Sequence, residues 1–282
     1  MARYRIHKPD GSVEEICGKI EKLVTPEEVA RTNTLADISD SNQFIKDTFG
    51  SFFFFWYSEA LKEEYDMAYM VRLLYMASFI NYDNVMTYSN GKKIKKKDLE
   101  KILQLSRNET YKTIKYLVEN SLVYIDEQTK VVSIDEKCIK KGSINMKKEK
   151  LIDIGAIRVF NQGIKELYPQ FNAKSHKTLG WFIKLLPYVN IHYNILCSNP
   201  LEEDMELIKP LSWKNIKNMV GGKTDSFSKN KNRFINTVIK EQCLICQMKF
   251  NKKSLIFVNP NLFYKGNKIE YMQIMCDVFK NF

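Results

Sequence analysis

The stretch Lys95–Asn120, KKKDLEKILQLSRNETYKTIKYLVEN, decides how this sequence is interpreted. It predicts two helices joined by a tight turn. In the first helix Leu99, Ile102 and Leu103 share one face while lysines occupy the other, which is the pattern of an amphipathic helix.

The second helix of this stretch has a defined start. Ser106 and Glu109 have the spacing of an N-terminal capping box, so this helix begins directly after the turn. Its inner face is predicted to hold Ile114, Leu117 and Val118. Its outer face near the N-terminus then carries residues suited to contacts with DNA: Arg107, Asn108, Tyr111, Lys112 and Lys115.

The flanking segments complete a recognisable order. The block from about Phe44 to Asn81 is predicted to be helical, with the apolar run Phe52–Tyr57 feeding into it as core. NVMTYSNGKKI then indicates a strand and an Asn90-Gly91 turn, and SLVYIDEQTKVVSID indicates a hairpin. Helix, strand, helix, turn, helix and hairpin is the order of a winged helix-turn-helix.

The same order is predicted again in the second half. A helix near RVFNQGIKELY stops before Pro169, and HKTLGWFIKLLPYVN is a second helix with Leu179, Phe182, Ile183 and Leu186 inward. NILCSNP is a strand candidate, and the acidic loop LEEDMELIK follows it. A short helix is then expected between residues 212 and 220, with a serine as N-cap and glycine as its stop.

The segment MVGGKTDSF, residues 219–227, contains the Gly-Lys-Thr ending of a phosphate-binding loop. Such a loop needs a glycine five residues before the Gly-Lys pair, and Lys217 occupies that position. We therefore interpret Gly221–Asp225 as the turn of a second helix-turn-helix. Its recognition helix is SFSKNKNRFINTVIKEQ, with Phe227, Phe234, Ile235 and Val238 inward; its wing is CLICQMKFNKKSLIFVNP, which turns at Asn251-Lys252.

The fold class expected is mainly α with small β-hairpins (α+β), as tandem winged helix-turn-helix domains. The opening RYRIHKPDGSVEEI predicts a further hairpin around Pro9-Asp10-Gly11. The tail IEYMQIMCDVFKNF is apolar enough to pack on its own chain or across a homodimer. The predicted ranges are an N-terminal hairpin and helical segment at 1–65, a first winged helix at 66–140, a linker at 141–155, a second winged helix at 156–268 and a helical tail at 269–282.

Composition narrows the classes of partner. The 282 residues carry a formal charge of +11 and are 44% hydrophobic, which favours folded domains with a polyanionic partner such as nucleic acid. The longest apolar run is far shorter than the roughly 20 residues of a membrane span. No signal peptide is expected, and six cysteines without regular spacing suit a reducing cytosol. We expect a cytoplasmic protein without membrane contact.

The chain resembles a loose group of phage- and plasmid-encoded winged-helix proteins, which include replication initiators and phage regulators. The resemblance rests on SNGKKIKKKDLEKILQLSRNETYKTIKYLVENSLV, on HKTLGWFIKLLPYVN and on the closing IFVNPNLFYKGN. The last of these is similar to the strand-and-loop ending of plasmid replication proteins of the RepL type. The resemblance implies DNA binding in a mobile element, in replication or in transcription.

Signals for catalysis are weak. The three histidines, His7, His176 and His192, do not form the H-x-H pair of nicking enzymes that resemble the HUH class. Cys243 and Cys246 lie in an apolar run read as a strand, where no second pair of zinc ligands can be named. We expect no enzymatic activity, no cofactor and no metal.

The sequence thus predicts a sequence-specific, double-stranded DNA-binding protein that acts as a transcriptional regulator. Two alternatives stay open: a theta-type initiator that binds origin repeats, and an interaction module that docks on a replication or transcription protein. Basic side chains at the helix starts and wings would contact phosphates, and those of the recognition helices would contact bases. The residues predicted to contact DNA are Lys95, Lys96, Lys97, Arg107, Asn108, Tyr111, Lys112, Lys115, Lys130, Lys223, Thr224, Lys229, Asn230, Asn232, Arg233, Lys252 and Lys253.

Overall fold

A computed structural model describes residues 3–7, 13–17, 43–62, 65–142, 155–221, 224–250, 253–266 and 268–280. The chain divides into two compact units, Met1–Asn42 and Gln43–Phe282. The first unit contains strands β1 (Arg3–His7) and β2 (Val13–Cys17), which pair antiparallel. This pairing confirms the predicted N-terminal hairpin, whose turn lies outside the described residues.

The second unit is a mixed α+β structure with small antiparallel sheets. Its helices are α1 (residues 43–49), α2 (Tyr57–Lys62), α3 (Met67–Ala77), α4 (Leu99–Leu103), α5 (Arg107–Glu119), α6 (Asn161–Leu167), α7 (His176–Leu179), α8 (Trp181–Leu185), α9 (Trp213–Val220), α10 (Thr224–Ile235) and α11 (Ile269–Lys280). Its strands are β3 (Phe52–Trp56), β4 (Val123–Ile125), β5 (Val132–Ile134), β6 (Ile139–Lys140), β7 (Ala156–Phe160), β8 (Val238–Ile239), β9 (Gln242–Cys243), β10 (Ile245–Phe250), β11 (Lys253–Val258) and β12 (Phe263–Tyr264).

A four-stranded antiparallel sheet of order β12-β7-β3-β6 lies at the centre of this unit. Strand β3 corrects the prediction of a continuous helical block from Phe44 to Asn81. Its consecutive aromatic side chains are buried on both faces of the sheet: Phe53 and Phe55 join the main core, while Phe54 packs with Ala156 in a separate cluster. A helix would not bury adjacent side chains in two opposite cores, but a strand does.

Strand β7 corrects a second helix prediction. A helix is predicted near RVFNQGIKELY; the first residues of this segment belong to β7, and the helix begins at Asn161. All five β7 residues are buried, and each pairs with β3 from Phe52↔Phe160 to Trp56↔Ala156. Pairing with β3 on one edge and with β12 on the other fixes β7 in an extended conformation.

The elements from Met67 to Ile134 occur in the predicted order. Helix α3 is followed by extended residues that bridge to the hairpin (Val85↔Ser133), then by α4, α5 and the β4–β5 pair. The predicted inner residues Leu99, Ile102, Leu103, Ile114 and Leu117 are buried. Val118 is the exception, because it is 43% exposed on α5.

The second half departs more from its predicted boundaries. The helix predicted from His176 to Asn190 is broken into α7, α8 and a 3-10 turn (Leu186–Tyr188). Gly180 separates α7 from α8, and a Cβ there would lie 2.4 Å from the Cβ of Met67. That glycine therefore permits the close approach of α3 to the second half.

The predicted recognition helix of the second half also ends early. Helix α10 stops at Ile235, and the residues after it form the β8–β9 hairpin. Phe227 and Phe234 are buried as predicted, whereas Val238 is 45% exposed in β8 rather than inward. The predicted wing forms as the β10–β11 hairpin, and its turn at residues 251–252 lies outside the described residues.

One hydrophobic cluster runs through both predicted winged-helix ranges, since it contains Leu74, Leu117, Phe182 and Phe234. Most of the predicted linker, residues 143–154, lies outside the described residues. The tail α11 packs on its own chain: Met275 and Phe279 join a cluster that includes Tyr193, Ile195 and Phe257, and Met272 packs against Ile45, Phe49, Phe160 and Tyr264.

Candidate nucleic-acid interface

Helix α5 begins at a side-chain cap. The Ser106 hydroxyl accepts a hydrogen bond from the Glu109 amide (3.3 Å), which confirms Ser106 as N-cap. The Glu109 carboxylate does not complete a capping box; it lies 3.3 Å from the guanidinium of Arg72 on α3. The start of α5 is therefore held by the Ser106 cap and, through the ion pair between Glu109 and Arg72, by α3.

The outward face of α5 exposes all five residues that were predicted there. Arg107, Asn108, Tyr111, Lys112 and Lys115 are exposed, and Tyr111 is 61% exposed. The two lysines lie near carboxylates of the same helix, at 3.6 Å from Glu109 and 3.7 Å from Glu119. Such surface ion pairs contribute about 0–1 kcal/mol, so the lysines remain free to contact an anionic partner.

A second basic group flanks α4. Lys95, Lys96 and Lys97 are exposed, and the backbone brings two of them beside the β4–β5 hairpin. The Lys96 amide donates to the Lys130 carbonyl (2.9 Å), while Lys95 bridges to Val131. Lys130, also exposed, has φ 59 at the end of the hairpin turn. The structure therefore places three of these four predicted phosphate-contacting lysines at one junction.

Helix α10 carries the corresponding residues of the second half. Lys229 and Asn232 are exposed and Asn230 is half-buried. The exposed Thr224 lies at the first position of α10, and its hydroxyl accepts a hydrogen bond from the Lys217 ammonium (2.9 Å). Lys223 and Lys252 lie outside the described residues.

Two side chains of the second half that are predicted to contact DNA are half-buried and hydrogen-bonded to other parts of the protein. Arg233 was predicted on the outer face, but it donates to the Ser175 hydroxyl (2.8 Å) and to the Gln170 carbonyl (2.7 Å). Its guanidinium also lies 4.0 Å from the centroid of the Phe171 ring. Lys253 donates from its ammonium to the carbonyls of Glu206 and Ile208.

The loop that binds Lys253 is acidic and well ordered by hydrogen bonds. Asn199 fixes it from one side by donating to the Leu207 carbonyl (3.1 Å), and Asn190 donates to the Glu202 carbonyl (2.8 Å). Leu201 and Leu207 are 59% and 60% exposed in this loop. Its carboxylates oppose contact between this part of the second half and phosphates.

Sequence reasoning missed three cations that shape these surfaces. Lys217 contacts Thr224, and the Lys231 ammonium lies 4.9 Å from the Trp213 ring centroid. Arg72 is 3% exposed in the otherwise apolar helix α3. The sequence does contain a signal for Arg72: a single arginine in an apolar helix indicates a buried charge, and a buried charge requires partners from other elements.

Within the described ranges, no three histidine, cysteine or acidic side chains are grouped so as to hold a metal ion. Cys246 is buried, and its burial together with the neighbouring Cys243 raises the pKa of its thiol to about 12. The thiol is therefore protonated at neutral pH.

No helix in the described part of the chain combines the length and apolarity that a membrane crossing requires. Comparisons with protein-family models, curated proteins and solved structures give no match for this chain.

Proposed function

We propose that this protein is a sequence-specific, double-stranded DNA-binding protein with two winged-helix units, and that it regulates transcription in a phage or plasmid. The observation that carries the proposal is the face of α5, where Arg107, Asn108, Tyr111, Lys112 and Lys115 are all exposed on a capped helix. Arg, Asn and Lys side chains suit the guanine and adenine edges of the major groove.

The junction between α4 and the hairpin supports the same proposal. Lys95, Lys96 and Lys130 are exposed beside one another, so they form a positive edge next to the recognition helix. Contacts from such an edge to phosphates would orient the protein on the duplex without reading its sequence. The phage or plasmid setting rests on the sequence resemblance alone.

Selection of bound fragments from neighbouring genomic DNA, at two salt concentrations, tests the proposal. Enrichment of one promoter-sized site at both concentrations supports a regulator. Enrichment of a cluster of short repeats supports the alternative role, a theta-type replication initiator. Weak binding without enrichment that disappears at moderate salt contradicts both, because purely electrostatic binding carries no sequence preference.

One observation favours a different class, a module that docks on a replication or transcription protein. Hydrogen bonds from Asn190 and Asn199 fix the acidic loop, which exposes Leu201 and Leu207 where a protein partner can reach them. Affinity for that partner would change little with salt, whereas DNA affinity would fall steeply.

A further inference from the structure

The segment Tyr168–His176, which we call the bridge segment, runs from the end of α6 to the first residue of α7 and contacts the first helix-turn-helix. The Tyr168 hydroxyl donates to the Leu103 carbonyl at the end of α4 (3.0 Å). Its ring stacks on Tyr75 of α3, with centroids 3.9 Å apart and an interplanar angle of 5°. Tyr168 is 1% exposed, so this contact is part of the core.

Arg72 connects the bridge segment to α5 itself. Its guanidinium donates to the Thr113 hydroxyl (2.8 Å) and to the Glu109 carboxylate (3.3 Å), both on α5. It also donates to Nδ1 of His176 (3.2 Å). The other ring nitrogen, Nε2, lies 3.0 Å from the Phe171 carbonyl.

These hydrogen bonds define the protonation of His176. Burial, with a further contribution from Arg72, lowers the pKa of its imidazole to about 4. The ring is therefore neutral at pH 7, with Nδ1 accepting from Arg72 and Nε2–H donating to the Phe171 carbonyl. A neutral His176 ring can therefore make both of these hydrogen bonds at the same time.

The opposite side of the bridge segment contacts α10. Arg233 donates to Ser175 and to Gln170, and its guanidinium covers the Phe171 ring. Phe171 in turn packs against Phe234, with ring centroids 5.8 Å apart. The same short segment thus holds α4 and α5 on one side and α10 on the other.

The central sheet gives this connection further support. Strand β6 follows the first helix-turn-helix and β7 precedes the second, yet both pair with β3. Strands that flank the two helix-turn-helix segments therefore belong to one sheet, and the two segments share one hydrophobic cluster.

From these contacts we infer that the bridge segment fixes the separation of α5 and α10, so that one protein molecule binds a single duplex site in two parts with one allowed spacing. Arg233 is a positioning residue in this account rather than a DNA contact. The inference rests on the proposed function, because it requires that both helices meet DNA.

The test is a spacing series on the selected DNA site. A scan of single-base substitutions first locates the two parts: those affected by Arg107→Ala belong to α5, and those affected by Asn232→Ala belong to α10. Insertions of 1, 2, 5 and 10 base pairs are then made between the parts, and the 10-base-pair insertion is also made outside the site as a control. Affinity is expected to fall about 100-fold or more for every internal insertion, since the contacts of one part are lost.

The 10-base-pair insertion is decisive. It returns both parts to the same face of the duplex but separates them by about 34 Å more, which a fixed protein cannot span. Recovery of affinity at this insertion, or tolerance of one or two base pairs, would overturn the inference and leave the proposed function standing. A site with only one sensitive part would also overturn it. If no specific duplex site exists, both the proposed function and this inference are contradicted.

A distance measurement on the free protein tests the fixed separation of α5 and α10 independently of the proposed function. Genetically encoded spin labels at the exposed positions Lys115 and Lys229 report the distance between α5 and α10. One narrow distance distribution is expected in the free protein. A broad distribution in the free protein would show that the helices move independently and would contradict the inference whatever the DNA result.

Discussion

The two candidate recognition helices, α5 and α10, have similar sequence patterns but use their cations differently. On α5 the residues Arg107, Lys112 and Lys115 all face solvent. On α10 Lys229 faces solvent, while Arg233 is hydrogen-bonded to the bridge segment. The difference shows that a basic outer face read from helical periodicity can contain a residue whose role is to hold the helix in position.

The largest expected effect is a loss of specific DNA binding when exposed cations of α5 are removed. Arg107→Ala combined with Lys112→Ala should abolish specific binding, with a loss of about 100-fold or more, because base contacts of this kind contribute about 1–3 kcal/mol each. Equilibrium titration of the selected site measures the loss. The matched control, Lys177→Ala with Lys209→Ala, removes the same charge from exposed positions outside both helices and outside the bridge segment. Unchanged binding by the α5 variant would mean that α5 is misassigned.

The next effect is a pH dependence of the free energy of unfolding, which arises from His176 in the bridge segment. Because the pKa of His176 is about 4 in the folded protein against 6.5 as its ordinary value, the unfolded chain binds the extra proton between these values. Stability from this group is complete above pH 6.5 and falls toward pH 4, by up to about 3 kcal/mol.

Urea unfolding of the wild type and of His176→Gln between pH 4 and 7 measures this effect. The glutamine variant should be less stable at pH 7 but should show a smaller fall on acidification, because its side chain does not titrate. Parallel pH profiles for the two proteins would contradict the buried, neutral ring.

A smaller effect separates the roles of two cations on α10. Arg233→Met should lower the free energy of unfolding by about 1–3 kcal/mol, since its hydrogen bonds involve a charged donor. Lys229→Met should change it by less than about 0.5 kcal/mol. Denaturation at neutral pH measures both. Equal stabilities would show that Arg233 does not hold α10 to the bridge segment.

The last prediction concerns the salt dependence of binding, which the exposed lysines before α4 are expected to control. Replacing Lys95, Lys96 and Lys97 by glutamine should reduce the slope of log affinity against log salt by up to about 3, for any duplex sequence. Replacement of Lys174, Lys177 and Lys209, which are also exposed, should leave the slope nearly unchanged. Equal reductions in the two triple variants would mean that only net charge matters.

Local signals predicted the parts of the fold that depend on local interactions. Ser106 and Ser212 cap their helices, Gly221 ends α9 with φ 76, and the hairpins form where alternating segments flank a turn. Each of these features is set by hydrogen bonds between residues close in sequence, so the sequence contains enough information to locate them.

Two of the main errors concern residues whose partners are distant in sequence. The strand β3 pairs with β7, about 100 positions later, and helical periodicity gives no indication of that partner. Arg233 is directed inward by Gln170 and Ser175, which are 63 and 58 positions away. Tertiary contacts of this kind override local preference, and a single sequence does not reveal them.

The most direct test of the central claim, that α5 reads base edges, is a base-substitution scan of the selected site with the wild type and with Arg107→Ala. In the wild type, substitutions at positions read by α5 should each cost about 1–3 kcal/mol. In Arg107→Ala the cost should fall to near zero at one or two adjacent positions and remain elsewhere. A scan that keeps the same profile, merely shifted to weaker affinity, would contradict base reading by α5 and would limit this face to phosphate contacts.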